Sequence, residues 1–269
     1  MQASPYYELA YAAAYDRLAL PLQFAAPATD LVRLTEPAVG DRFLDVGSGT
    51  GAVVVPAARM LGPDGMVVAT DASFSMLAML KRKSIGWVAA AKVPELPFSE
   101  NCFDIVTASF VVSHFEDYKT GLAEMVRVLR PGGRLGVSAW APAQNPYADT
   151  WAEIAGRFAN IEELARSFHE VIPWDESLST EDDLRGVLAE AGLVQVGITR
   201  RTYAIVVSSF EYLQMRELGV EGTFLRRSLR AVDWERFKQD LAEAFRERFT
   251  ENLEFDRDVL FAVGRKPAG

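Results

Sequence analysis

Apolar positions along the chain fall into short blocks of two kinds. Mainly apolar runs of five to nine residues alternate with stretches whose apolar residues recur every three or four positions. The runs "RFLDV" (42–46), "MVVATD" (66–71), "WVAAA" (87–91), "CFDIVTASF" (102–110) and "RLGVSAW" (134–140) predict five strands. Helical spacing falls between them, over 51–61, 73–83 and 117–129. The first helix is stopped by Gly62-Pro63 and the third by Pro131-Gly132-Gly133. Upstream, helices are predicted over 5–19, with Tyr7, Tyr11 and Tyr15 on one face, and over 27–35, ending before Pro37. Downstream, Thr180 and Asp183 form a capping-box pattern that opens a helix running to Gly192. Two further strands follow over 194–207 and 258–266, and the stretches 141–179 and 208–252 are helical and rich in aromatics. Strand–helix alternation with apolar strands implies a parallel sheet covered on both faces. Ligands on such sheets bind outside the carboxyl ends of the strands.

The chain has 269 residues, 49% hydrophobic and 24% charged, as expected of a globular α/β protein. A net charge of −9 argues against a general nucleic-acid or anionic-membrane surface, where Lys and Arg must neutralise phosphates. No run reaches the roughly 18 apolar residues needed to span a bilayer. The apolar N-terminus lacks the basic start of a signal peptide. The single cysteine, Cys102, excludes an intrachain disulfide and suits a reducing cytoplasm. No His, Cys or Asp cluster has metal-ligand spacing, so no metal is expected.

The first strand runs into "DVGSGTGA". Gly47, Gly49 and Ala52 match the loose dinucleotide fingerprint, and Asp45 stands two residues before the first glycine. A pyrophosphate there would face a carboxylate across a short gap, and residues 43–58 contain no Lys or Arg to compensate. A cationic ligand reverses the sign. S-adenosylmethionine carries a sulfonium and an ammonium group, and glycines let the backbone approach it closely. Asp71, at the end of the second strand, is placed to accept hydrogen bonds from both ribose hydroxyls of either ligand. Asp45 therefore decides against an NAD-binding oxidoreductase.

"LDVGSGTG", "VVATDASFSML", "LPFSENCFDIV" and "EMVRVLRPGGRL" occur in the order and spacing of the class I S-adenosylmethionine-dependent methyltransferases. The chain resembles their small-molecule branch, which includes the ubiquinone/menaquinone-biosynthesis C-methyltransferases. The resemblance covers residues 40–140 well and the terminal "FAVGRKP" more loosely. It implies an α/β, Rossmann-like, doubly wound seven-stranded sheet whose last strand is antiparallel and inserted beside the sixth. It also implies S-adenosylmethionine as cofactor and S-adenosylhomocysteine as product. Asp45 and Gly47 would lie near the methionine moiety, with Gly49 and Gly51 lining the turn. Asp71 would hold the ribose, and Ala72 and Met76 would flank the adenine. Ser109 would face the sulfonium. Similar proteins often carry an acidic residue four positions before the "LPF" leucine, where this chain has Lys92. Here the adenine is instead expected against backbone near Lys92 and Val93.

Methyl transfer from a sulfonium is an in-line displacement that needs alignment and water exclusion, and a base only when the acceptor must lose a proton. His114, in "VVSHFED" after the fourth strand, is the candidate base. Its competing role is packing or anchoring the loop. Tyr7, Tyr11 and Tyr15 fit either core packing or a lid over the bound molecules. Trp151 is a candidate substrate contact in the first aromatic insertion. The Asn-Pro-Pro-aromatic motif of base- and glutamine-modifying methyltransferases is absent, with "ASFVVSHF" in its place, which favours small-molecule acceptors.

The expected organisation is one domain over 1–269. It has a helical cap over 1–36 and a cofactor-binding core over 37–140. Helical lids over 141–179 and 208–252 join the remaining core over 180–207 and 253–266. The expected partner is a small, partly apolar substrate bound by a monomer or homodimer, with no nucleic acid and no membrane insertion. The alternative is a relative that binds the cofactor without transferring methyl, as a cyclase-like enzyme or a sensor.

Overall fold

A computed structural model describes residues 7–268. Residues 5 and 6 of the first expected helix lie outside that range. Among the described residues, seven strands form one sheet in the order β3-β2-β1-β4-β5-β7-β6. They are β1 (Arg42–Val46), β2 (Met66–Asp71), β3 (Trp87–Ala90), β4 (Phe103–Ser109), β5 (Leu129–Trp140), β6 (Val194–Ser208) and β7 (Asn252–Arg265). Strands β1 to β5 pair in parallel, and β7 runs antiparallel between β5 and β6.

The central strands are buried because helices cover both faces. On one face α5 (Tyr118–Val128) and α8 (Glu181–Glu190) bring Leu122, Met125, Leu184 and Leu188 against Leu44, Val106 and Val137. On the other, α2 (Ala25–Leu34), α3 (Val54–Leu61) and α4 (Phe74–Lys81) bring Leu31, Val32, Leu61 and Leu80 against Phe43, Ile105 and Phe261. Although its sequence lies within the expected cap, α2 is thus a layer of the sheet's own core.

The two helices expected over 5–19 and 27–35 are joined. Helix α1 (Leu9–Ala14) continues through a π-helical segment, Tyr15–Phe24, into α2. Pro21 lies inside that segment and has no N–H to give, and the Ala25 N–H reaches back five residues to the Leu20 carbonyl.

The last two strands extend past the sheet. Val259 is the last β7 residue paired with β5, opposite Trp140. From Asp258 back to Asn252, β7 pairs only with Thr202–Ser208 of β6. This ribbon carries a third core, in which Ile205, Val207 and Leu253 meet Trp151, Phe237 and Phe245. The helices involved include α6 (Pro146–Ala155) and α11 (Ala231–Arg248), one from each aromatic insertion. Alongside them lie α7 (Ile161–Val171), α9 (Ser209–Leu218) and α10 (Val220–Ser228). No helix among the described residues is long and apolar enough to cross a membrane.

Candidate active site

Strand β1 delivers Asp45 and the glycine turn to the carboxyl edge of the sheet. Gly47 and Gly51 have φ of +70° and +99°, a region that favours glycine. Both are also closely covered: a Cβ on Gly47 would come 2.4 Å from a Val111 methyl, and one on Gly51 would come 2.5 Å from a Leu80 methyl. At Gly49 the nearest such neighbour is the Tyr15 ring, 3.9 Å away, so the π-helical segment lies over the turn. Asp16, the next residue, binds Lys83 Nζ at 2.6 Å, and the same ammonium donates to the Thr50 carbonyl at 2.8 Å. The N-terminal helix is thereby fastened to the turn it covers.

Asp71 joins the turn to the start of α4. Its Oδ2 accepts from the Gly49 N–H at 2.8 Å and its Oδ1 from the Ser73 N–H at 2.7 Å. Burial raises its pKa, and these two amides work against the rise. Each oxygen keeps lone-pair capacity for a hydroxyl donor.

Asp45 is 1% exposed. Its Oδ1 accepts from Thr107 Oγ1 at 2.8 Å, and its Oδ2 is buried with no hydrogen-bond partner among the described residues. Burial pushes its pKa up to about 7. The Thr107 hydrogen bond opposes the shift, as does the nearby Ser48 hydroxyl, which itself donates to the Asp45 and Thr70 backbone carbonyls, and the nearby Asp71 charge adds to it. A buried carboxylate with an unused oxygen beside a glycine turn suits a cation. The donor set therefore fits S-adenosylmethionine and would oppose a pyrophosphate.

Other expected site residues are distributed as follows. Met76 is buried on α4, with Ala72 just before its Ser73 cap. Ser109 ends β4 and shares a hydrogen bond of 3.0 Å with Ser138 of β5. Lys92 does not turn inward: its ammonium binds the Glu116 carboxylate at 2.6 Å, both side chains being exposed, and this bond raises its pKa. Val93 is half-buried against the α5 face of the core. Tyr7 is 51% exposed, and its carbonyl accepts from Ser75 Oγ at 2.8 Å. The Tyr11 and Tyr15 rings stack at 6.3 Å.

Two expectations need correction. His114 ends a short 3-10 turn after β4 and is tied to the Val171 backbone. Burial pushes its pKa down to about 4, which makes it a weak base near neutrality. The same loop is fixed twice more: the Trp174 N–H donates to the Ser113 carbonyl at 3.2 Å, and Trp174 Nε1 donates to that of Phe115 at 2.8 Å. His114 thus anchors its loop, the competing role given it above, and its lowered pKa disfavours it as a base. Trp151 is fully buried, its ring 5.2 Å from that of Phe237. It packs the third core.

The structure also assembles a wall that the sequence does not announce. From Tyr15 over the glycine turn, the rings run to Phe24 at 5.3 Å and on to Phe110 at 5.3 Å. Phe110 stacks on Trp140 at 4.3 Å. All four residues are half-buried. Phe110 and Trp140 follow β4 and end β5, and Phe110 has a φ of +54°. Their aromatic character was visible in the sequence, but their meeting depends on strand order. Beyond Trp140 lies Arg257, whose guanidinium carbon is 4.2 Å over the indole. The one signal for Arg257 is its phase. It alternates with Leu253 and Phe255 toward the side that carries the ribbon's apolar contacts.

Comparison with known proteins identifies the family. Residues 44–137 match the family model described as a methyltransferase domain. The chain is 32% identical over 182 residues to the ubiquinone/menaquinone biosynthesis C-methyltransferase UbiE of Teredinibacter turnerae, covering 62% of this chain and 72% of that one. In fold it is similar to the YcgJ protein of Bacillus subtilis, with a TM-score of 0.58 and 17% identity over 91% of this chain and all of the other. The [4+2]-cyclase SpnF shares the fold as well, with a TM-score of 0.51 and 20% identity over 90% of this chain and 81% of its own. That likeness speaks for architecture alone. The sequence relationship, joined to the glycine turn and its two carboxylates, places the chain in the family of class I S-adenosylmethionine-dependent methyltransferases.

Proposed function

We propose that this methyltransferase acts on a small, partly apolar acceptor held at the carboxyl ends of β4 and β5. The observation that carries the reading is the half-buried aromatic wall, Tyr15–Phe24–Phe110–Trp140, which leads away from the glycine turn. Rings at such spacings offer an apolar surface and edge or face contacts to a planar molecule.

In this reading Asp45 and Gly47 sit beside the methionine moiety, and Gly49 and Gly51 let the backbone approach it. Asp71 accepts from the ribose hydroxyls. Ala72 and Met76 flank the adenine, with backbone near Lys92 and Val93 at its edge, and Ser109 lies on the sulfonium side. S-adenosylmethionine supplies a methyl group already activated by its positive sulfur and leaves as S-adenosylhomocysteine. The acceptor's nucleophilic atom bonds the methyl carbon as the carbon–sulfur bond breaks, and the sulfur keeps that electron pair. The protein's work is to align acceptor and methyl and to keep water out. Burial weakens His114 as a base, so an acceptor that must lose a proton does so without this imidazole. The helices of 141–179 and 208–252 form the roof over the acceptor.

The test is an assay for S-adenosylhomocysteine across apolar aromatic and aliphatic acceptors, with mass spectrometry of the products. A methylated product in equal amount supports the reading. Strong binding of S-adenosylmethionine with no methylated product from any acceptor class would argue for a non-transferring relative.

A further inference from the structure

Arg257 stands at the far end of the aromatic wall. It sits on the part of β7 that runs beyond β5, opposite Tyr203 of β6. Its Nε is buried without a partner, and among the described residues the side chain makes no hydrogen bond and no ion pair. That sets it apart from other partly buried arginines of the chain. Arg134 is paired with Asp41, Arg216 with Glu221 and Arg127 with Glu124. The charged and titratable groups around Arg257 are Asp175, Tyr212 and Arg216. Asp175 is near enough to act on its charge, yet the two form no ion pair.

An unpaired cation removed from water is unfavourable, and a fold that needed it only for packing would do better with an apolar side chain. Its contact with the Trp140 face offsets part of that penalty but uses none of its five N–H donors. Those donors suit a planar two-oxygen anion. Arg216 is already paired with Glu221, so Arg257 offers one unpaired guanidinium, with the Asp175 carboxylate near it. One guanidinium matches a monoanion, and a phosphate dianion would meet too little positive charge beside that carboxylate.

We propose that Arg257 binds a carboxylate on the methyl acceptor, so that the enzyme's substrate is a carboxylic acid with an aromatic or apolar body lying along Phe110 and Trp140. This rests on the methyltransferase reading above and narrows its substrate class. The wall takes up the body of the molecule, and the guanidinium fixes which end lies away from the glycine turn. The atom to be methylated is thereby set toward β4.

The experiment uses the full chain loaded with S-adenosylhomocysteine and reads calorimetric titration and thermal shift. The probes are phenylpropanoate and indoleacetate, each beside its neutral amide, with phenyl phosphate as the dianionic competitor. The acids should bind about 10–100-fold more tightly than the amides, the range expected for a charge-assisted, two-pronged hydrogen bond. Arg257→Gln should erase that difference and leave S-adenosylhomocysteine affinity and melting temperature unchanged. Arg257→Lys, which keeps the charge and loses the fork, should retain part of the preference. Equal binding of acid and amide, a preference for phenyl phosphate, or an acid preference that survives Arg257→Gln would each overturn the proposal. So would failure of both acids to bind the loaded wild-type protein. Failure of the wild type to bind S-adenosylhomocysteine at all is a different result, which sinks the methyltransferase site itself and the acceptor subsite with it.

Discussion

At the scale of single residues, Asp45 carries the sharpest consequence. Its carboxyl titrates near 7 in the fold against an ordinary value of 3.8, with burial as the main cause. A raised carboxylate pKa means that the fold holds a proton the unfolded chain has released. This residue's contribution to stability is therefore complete below about pH 4 and is lost as pH rises through about 7. A cationic cofactor inverts the preference, because a sulfonium or ammonium nearby favours the charged carboxylate. Binding of S-adenosylmethionine should release a proton below about pH 7, and affinity should rise by up to roughly tenfold per pH unit before levelling off. Calorimetry in two buffers of different ionisation enthalpy measures that proton directly, and Asp45→Asn should abolish it. A wild-type affinity that is flat across this range would remove the cation from Asp45. Asp45 and Asp71 were legible in the sequence because each follows an apolar run at a strand end. Arg257 was not. A lone arginine between two aspartates reads as surface, and its inward phase shows only once β7 is known to start at Asn252.

At the scale of elements, legibility followed how sharply each was bounded. Strands β1, β2 and β4 lie within a residue of their expected limits; Gly47 closes the first apolar run and Asp71 the second. The first half of β7 escaped because its polar alternation belongs to a ribbon with no sheet neighbour beyond β6. The N-terminal helices read as two because Pro21 interrupts their pattern, although a π-helical segment bridges them. The loop after β4 shows how element contacts can override residue type. His114 looked like a base from its position, yet it ties this loop to the end of α7, and burial holds it at about 4 against an ordinary 6.5. Here the folded pKa is depressed, so the unfolded chain takes up a proton that the fold refuses. The stabilising contribution is whole above pH 6.5 and disappears as pH falls toward 4, a span worth on the order of 3 kcal/mol. Denaturant unfolding at several pH values should therefore lose part of its acid slope in His114→Gln, which keeps an N–H donor but does not titrate. A variant with an unchanged slope would assign the titration elsewhere. The wild-type rate should show no inflection near 6–7 from this imidazole.

At the scale of the whole molecule, two cores flank the sheet and a third lies among the helices on the β6–β7 ribbon, the part proposed above as a roof. The aromatic insertions were visible in the sequence, but the side chains that would join them to one another were not, because the partners come from stretches about a hundred residues apart. Trp151 and Phe237 are the central pair, both fully buried with rings 5.2 Å apart. Emptying this site tests the proposal that the sheet holds the cofactor and the helices of the third core cover the acceptor. Trp151→Ala removes a large buried ring and should destabilise the roof by about 3–5 kcal/mol, the usual range for truncating a core aromatic to alanine. Trp151→Phe should do much less harm. It keeps most of the packing, and the indole Nε1 it removes has no hydrogen-bond partner among the described residues. The glycine turn, Asp45 and Asp71 rest on the sheet cores, so S-adenosylhomocysteine affinity should survive Trp151→Ala while methylation of the acceptor falls. Hydrogen exchange should accelerate in α6, α9 and α11 and stay slow in β1, β4 and α3, the signature of a unit that opens locally. Equal loss of protection in both regions, with cofactor affinity falling alongside activity, would mean that roof and sheet unfold as one cooperative body. The acceptor site would then lack the local freedom to open that a roof over a small substrate requires.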